Sequence, residues 1–201
     1  MNKELLNSQE YNNLDWSDFS PGNMRHTVAM QKKYGVWRWA GIRQYKNRIL
    51  SEIKNRIVID YGGADAPLGF CSTVIDQQDY DINGNIIKYH KWGDYSKKVD
   101  VIFTSHFLEH IKYIREFLHV CYAKLSYGGK MIAHVPSIYG ADRWHPENRQ
   151  DHNWMFALME TPISDIKKVL YIDYVLKSCG FRIEVSSYVD DCSIFIIARR
   201  K

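Results

Sequence analysis

The run Ile57-Val58-Ile59-Asp60-Tyr61-Gly62-Gly63-Ala64-Asp65-Ala66-Pro67 most narrows what this chain can become. It reads as a buried strand, an acidic residue at the strand's end, then a turn of small residues. Gly and Ala put no bulk in the way, so such a turn lets a ligand lie against bare backbone. A glycine-rich turn after one strand is a weak signal, and its meaning depends on the rest of the chain.

From residue 56 onward, strand and helix patterns alternate. Strands are expected over residues 56–61, 72–75 (ending at Asp76), 86–90 after the turn Asn83-Gly84-Asn85, 99–104, and 130–135, the last halted by Pro136. A helix is expected over residues 106–126, with Phe107, Leu108, Ile111, Ile114, Leu118 and Leu125 on one side and Gly128-Gly129 as its stop. A second helix is expected to start at Thr161-Pro162, bury Ile166, Val169, Leu170 and Tyr174, and end at Gly180. Residues 181–187 and 193–198 alternate like a closing hairpin around Asp190-Asp191. Alternating strands and helices predict a mostly parallel sheet covered on both faces, an α/β doubly wound architecture.

Upstream, residues 1–22 are polar and end in the turn signal Ser20-Pro21-Gly22, so they form an arm or a lid. Residues 23–54 look helical, with Ile42, Tyr45, Ile49 and Ile53 at helical spacing and Gly35 and Gly41 dividing the segment in two. This sets residues 1–54 as an arm and helical cap before a domain at 55–201.

At 201 residues the chain can bury one substantial core. No apolar run approaches the length of a membrane span, and the N-terminus lacks a signal-peptide apolar region, so a cytoplasmic protein is the default. The four cysteines form no Cys-x-x-Cys pair, which argues against a zinc knuckle, and Cys121 and Cys179 read as core residues. Eight basic residues fall between Gln31 and Arg56 against Glu52 alone, interleaved with Tyr34, Trp37, Trp39 and Tyr45. That segment reads either as a solvated helix face or as a surface for phosphates.

Three segments in this order — the Asp60 turn, the strand entering His106-Phe107-Leu108-Glu109-His110, and Gly128-Gly129-Lys130 before the fifth strand — resemble the small class I S-adenosylmethionine-dependent methyltransferases. The resemblance is to the branch whose fourth strand runs into Leu-Glu-His. It implies a Rossmann-like sheet of seven strands with an antiparallel last strand and an N-terminal helical extension. It also implies S-adenosylmethionine as cofactor and S-adenosylhomocysteine as product; no divalent metal is expected. The family's acidic-x-Gly-x-Gly-x-Gly turn appears here as Asp60-x-Gly62-x-Ala64-x-Ala66, with alanine at the later positions.

Ligands of open α/β sheets bind beyond the carboxyl ends of the strands. The resemblance therefore places the cofactor at Asp60, Gly62, Gly63, Ala64 and Ser105, with Asp76 on the ribose hydroxyls and Asp94 on the adenine amino group. Turn-capping is the competing reading for Asp76, and an exposed loop residue for Asp94. No Gly-x-x-x-x-Gly-Lys-Ser/Thr occurs, which excludes a P-loop.

Methyl transfer needs an aligned nucleophile and often a base. His106 directly follows the fourth strand and is a candidate base; a hydrogen-bonded, half-buried histidine is the alternative. His106, Glu109 and His110, at spacings of three and four, form a weaker metal-binding candidate that lacks a fourth ligand, or else pin the helix to its neighbours. The long loop 137–153 leaves the same rim. It offers His145, Asp151 and His152 as catalytic candidates, Arg143 and Arg149 for an anionic group, and Trp144 and Trp154 for stacking on a sugar or ring.

No Asp/Asn-Pro-Pro-Tyr/Phe motif and no cysteine follows the fourth strand, which favours an oxygen nucleophile over an amino group or a pyrimidine carbon. A small-molecule or glycan hydroxyl is the leading acceptor, and nucleic acid bound through residues 31–56 the lesser one. A binding or regulatory protein that has lost catalysis is a further alternative, suited by Ala64 and Ala66. A homodimer is within what the chain allows.

Overall fold

The computed structural model describes residues 45–64, 68, 72–81, 84–140, 146–147, 150–163, 167–189 and 192–201. The first helix, α1, spans Lys46–Ile53. The strands are β1 (Val58–Tyr61), β2 (Thr73–Ile75), β3 (Val99–Ser105), β4 (Leu125–Pro136), β5 (Met155–Ala157), β6 (Val169–Tyr171), β7 (Phe181–Val189) and β8 (Ser193–Arg200). Helix α2 (Ile114–Lys124) precedes β4, and α3 (Ile172–Ser178) follows β6.

Among the described residues, six strands form one sheet in the order β2-β1-β3-β4-β8-β7. β1 pairs parallel with β2 and with β3, and β3 pairs parallel with β4. β8 is antiparallel to both β4 and β7. This is the Rossmann-like, mostly parallel sheet with an antiparallel last strand that the resemblance implies. The strand expected at residues 86–90 contributes one parallel bridge, Tyr89 to Ile75, on the outer edge of β2. Its upstream neighbour Ile86 instead folds back on Tyr80 through an Asp81-held turn, in which the Asp81 carboxylate accepts both the backbone and side-chain N–H groups of Asn85.

Both faces of the sheet are buried, and the period of two sorts the side chains between them. Ile59, Ile102, Met131, Ala133, Ile194, Ile196 and Ala198 join α2 and α3 in one core. Val58, Val101, Phe103, Ile132, Phe195 and Ile197 form the other with Ile49 and Ile53 of α1. Tyr45, at the N-terminus of α1, stacks on Phe195 at 4.1 Å. The expected helical stripe Tyr45-Ile49-Ile53 is thus the packed face; Ile42 lies outside the described residues. Cys121 and Cys179 are buried core residues, as expected.

Three expected elements differ. The helix expected over residues 106–126 is a 3₁₀ turn, Leu108–His110, followed by α2. His106 takes a left-handed φ of 49°, which breaks helical continuity at the strand's exit. Leu108, Ile114, Leu118 and Leu125 are buried nonetheless, so the apolar pattern recorded a packed face and not one helix.

Gly128 and Gly129 do not stop that helix. β4 starts at Leu125 and carries residues 126–129 against Asp100 in a bulge, between the pairs Val99–Leu125 and Val101–Lys130. A Cβ on Gly129 would lie 2.9 Å from the Ser126 carbonyl oxygen and 3.0 Å from that of Asp100.

Of the helix expected from residue 161 to 180, the described residues are helical over Ile172–Ser178; Ile166 lies outside the described residues. Val169 and Leu170 belong to β6, which pairs parallel with β5 in a separate two-stranded sheet. Gly180 does close the helix, with φ 96°.

Candidate functional site: an acid-lined turn and a histidine cluster

The turn after β1 is fixed from both sides. Asp60 is buried, and its Oδ2 accepts the Leu68 N–H at 2.5 Å. Burial pushes its carboxyl up to about 7; the Leu68 hydrogen bond opposes that rise, and the nearby charge of Asp76 adds to it. Gly62 donates its N–H to the Ile75 carbonyl at 2.8 Å, and Ala64 donates to Asp76 Oδ2 at 3.1 Å. The turn is therefore tied to the end of β2, the neighbouring parallel strand. Gly62 has φ 76°, and a Cβ there would meet the Phe107 ring at 2.3 Å. Glycine is required on two counts, conformation and space.

Asp76 also accepts the Gln78 N–H, through Oδ1 at 3.1 Å. Its carboxylate thus caps its own turn and holds Ala64 at once. The His90 Nδ1–H donates to the Asp76 carbonyl oxygen at 3.0 Å, which adds support from the 86–90 segment. Asp94 is exposed, and its Oδ2 accepts the N–H groups of His90 (3.0 Å) and Lys91 (3.2 Å) at the 3₁₀ turn Trp92–Asp94.

At the end of β3 a chain of buried polar groups begins. Ser105 Oγ lies 3.1 Å from Nδ1 of His134, a fully buried residue of β4. The His106 ring sits 4.8 Å from the His134 ring, edge to face. Its Nε2 is 3.2 Å from Ser193 Oγ and its Nδ1 is 3.4 Å from Glu109 Oε1. Only 5% of the His106 side chain is exposed, so the left-handed backbone turns this imidazole inward.

The segment after the long loop is stitched onto the 3₁₀ turn. Asn153 and Trp154 donate backbone N–H groups to the Glu109 carbonyl at 2.7 and 3.3 Å. The Asn153 side chain donates to the His110 carbonyl, and the Trp154 indole N–H to that of Ile111. These bonds bring His152 against His110, with ring centroids 4.8 Å apart. The ligand atoms of Glu109, His110 and His152 all lie within 4.8 Å of one another. Burial raises the Glu109 carboxyl above its ordinary range, against the pull of its own backbone N–H and then of His110, His152 and His134.

The structure thus brings Asp60, Gly62, Gly63, Ala64 and Asp76 together at one turn. It joins His106, Glu109, His110, Asp151, His152 and Trp154 in one cluster. The sequence pattern puts the metal candidate on a helix; its residues stand instead on a left-handed residue and a 3₁₀ turn, and the third imidazole beside Glu109 and His110 is His152. Trp154 uses its indole N–H internally. Arg143, Trp144, His145 and Arg149 lie outside the described residues, as do residues 1–44. Sequence reasoning missed His134 and Ser193, although a histidine inside the apolar run 130–135 is itself a signal of a buried polar contact.

The sheet order, the acid-lined turn at its carboxyl edge and the antiparallel β8 define the fold of the S-adenosylmethionine-dependent methyltransferases. The solved structures similar to this chain include a SAM-dependent methyltransferase from Archaeoglobus fulgidus, at 17% identity and TM-score 0.53, covering 88% of this chain and 96% of that one. A SAM-dependent methyltransferase from Aquifex aeolicus matches at 11% identity and TM-score 0.54, over 94% of this chain and all of that one. One from Mesorhizobium loti matches at 15% identity and TM-score 0.52, over 77% and 95%. No protein-family model and no curated protein matches the sequence. No helix among the described residues is long and apolar enough to cross a membrane.

Proposed function

We propose that this chain is an S-adenosylmethionine-dependent methyltransferase acting on a hydroxyl group of a small molecule or glycan. The observation that carries the reading is the turn from Gly62 to Ala64. It is held between the carboxylates of Asp60 and Asp76 at the carboxyl ends of two adjacent parallel strands, with Phe107 packed against Gly62. The likeness of the fold to solved methyltransferases supports it.

In this reading Asp60 braces the turn from beneath. Asp76 keeps lone-pair capacity for ribose hydroxyls beyond the two amides it already accepts. Asp94 orders the 3₁₀ turn beside the adenine position, and Ser105 lines the cofactor side of β3. S-adenosylmethionine held there would supply an electrophilic methyl group to the acceptor hydroxyl and leave as the neutral thioether S-adenosylhomocysteine. The hydroxyl proton passes to the histidine cluster at the end of β3, where His106 and His152 are the assigned bases and Asp151 orients the neighbouring imidazole. Trp154, on the segment stitched to the 3₁₀ turn, is the assigned acceptor contact among the described residues.

Transfer of a labelled methyl group from S-adenosylmethionine to a panel of sugars, nucleotide sugars and glycans tests the proposal. Base-stable label in at least one acceptor, as an ether gives, is expected. Added amines or RNA labelled on nitrogen or carbon, with no label on any hydroxyl, would contradict the oxygen assignment.

A further inference from the structure

The two edges of the main sheet differ in charge. The carboxyl ends of the parallel strands lead into Asp60, Asp76, Asp94 and Glu109, the acids of the site described above. The opposite, amino edge is basic. Arg56 precedes β1, Lys97 and Lys98 precede β3, and Lys124 precedes β4. Arg200 and Lys201 close β8, which runs antiparallel to β4 and so ends on this edge. β1, β3, β4 and β8 are consecutive in the sheet. The cations therefore form a row across three interstrand steps, about 14 Å at roughly 4.8 Å per step.

The carboxylates near this row are already engaged. Asp100 Oδ2 accepts the Ile57 N–H at 3.0 Å. Glu52 and Glu184 hold the buried Lys130, and Glu184 also takes Arg182 and Arg199. None of the six cations of the row makes an ion pair among the described residues. Three of them are held in place by backbone carbonyls where α2 ends, the pole of a helix that draws cations. Lys98 Nζ donates to the Ala123 carbonyl, and Arg200 donates to those of Ala123 and Leu125. Lys124 Nζ donates to the Tyr95 carbonyl. An ammonium has three N–H donors and a guanidinium five, so each head keeps donors for a phosphate.

Tyr127 stands on the same edge. It lies on the bulge of β4 beside Gly128, whose φ is 73°, and it is 88% exposed. A row of cations with an exposed aromatic ring offers charge for phosphates and a face for a base. A lipid surface asks for more apolar contact than this edge gives, since Ile57 is the other large apolar side chain exposed there among the described residues. From these relations we infer that the amino edge of the sheet docks single-stranded nucleic acid through its phosphates, with Tyr127 stacked on a base. The acids of the opposite edge repel a polyanion, so the docked strand leaves the cofactor edge free. The inference goes beyond the methyl-transfer reading and stands without it, since RNA binding and S-adenosylhomocysteine binding are separate measurements.

The test is fluorescence anisotropy of a labelled oligouridine with the full-length protein, over about 50 to 200 mM salt. Four phosphate contacts give a slope of log K against log salt near about −3, at about 0.7 per contact on a single strand. Arg56, Lys97 and Lys201 are exposed. Their combined replacement by alanine should weaken binding at least about tenfold and flatten the slope by about 2. Tyr127→Ala should weaken binding at least about fivefold with the slope unchanged, the loss of one stacked base. Lys112→Ala, towards the opposite edge, should change neither. No salt-dependent binding by the wild type, or equal binding by the triple variant, would overturn the inference. Anionic vesicles bound in place of RNA would do the same by assigning the row to a lipid surface. Where a variant does not fold, the wild type decides through amide ¹⁵N spectra. RNA should shift the amides of Lys97, Lys98, Tyr127 and Lys201 and leave those of Gly62 to Ala64 unmoved; the reverse pattern would contradict the edge assigned.

Discussion

A Cβ placed on Gly63 would lie 2.4 Å from the carboxyl carbon of Asp60. Gly63 therefore packs directly over the buried acid. Gly63→Ala must push the carboxyl aside or break its bond to Leu68. Overpacking of this kind costs about 1–3 kcal/mol. Chemical denaturation should show that loss, together with weaker binding of S-adenosylhomocysteine; wild-type stability in the variant would mean the turn is looser than described.

Asp60 should titrate near neutrality, because burial raises its carboxyl to about 7. A carboxyl whose folded value exceeds its unfolded one binds more protons when folded between the two values. Its effect is a loss of stability as pH rises from about 4 to about 7, with none further above. Carbon-13 spectra of the aspartate carboxyls should show one midpoint near 7, absent in Asp60→Asn. All aspartates titrating below about 5 would contradict the burial assigned to this group.

Glu184 behaves in the opposite sense. Burial works against its ionised form, but hydrogen bonds and charge from Lys130 and Arg199 prevail and hold its carboxyl at about 2. Its contribution is fully present above the unfolded value near 4.5 and is lost as pH falls towards 2. Lys130 is buried between Glu52 Oε1 at 2.7 Å and Glu184 Oε2 at 2.9 Å, tying α1 and β7 to β4. Lys130→Met leaves the two carboxylates with the more exposed Arg48 as their remaining shared cation, and Glu184 with Arg199. The cost should be about 1–3 kcal/mol at roughly neutral pH, and smaller at about pH 3, where carboxylates begin to protonate. A loss independent of pH would point to packing alone.

His106→Ala should slow methyl transfer more than it weakens S-adenosylhomocysteine binding, once an acceptor is found. His152→Ala should do the same. Turnover unchanged in both would remove the cluster from the reaction and leave Ser105–His134 and His106–Ser193 as structural pairs.

The parts of this fold readable in the sequence are those written in local pattern. The β1 run with its acid and small-residue turn, the apolar β3 and the alternating β7–β8 pair each carry their signal within a short stretch of chain. What sequence misreads depends on partners distant in the chain. Val169 and Leu170 fit a helical stripe until β5 offers them a parallel edge. Gly128-Gly129 reads as a helix stop, yet Asp100 of the neighbouring strand makes it a bulge. His106 shows no sequence sign of its positive φ. The cluster is half legible: Glu109 and His110 stand out, but only the bonds from residues 153 and 154 to the Glu109 carbonyl bring His152 to them. Asp94 is legible as an acid, but the bonds of its Oδ2 to the amides of His90 and Lys91 are not.

Calorimetric titration with S-adenosylhomocysteine bears most directly on the central claim. Wild-type protein should bind one equivalent per chain, and Asp76→Ala should weaken that binding at least about tenfold while keeping its fold, roughly the loss of a charge-assisted hydrogen bond. No binding by protein shown to be folded, or equal binding by Asp76→Ala, would contradict the cofactor site at the ends of β1 and β2.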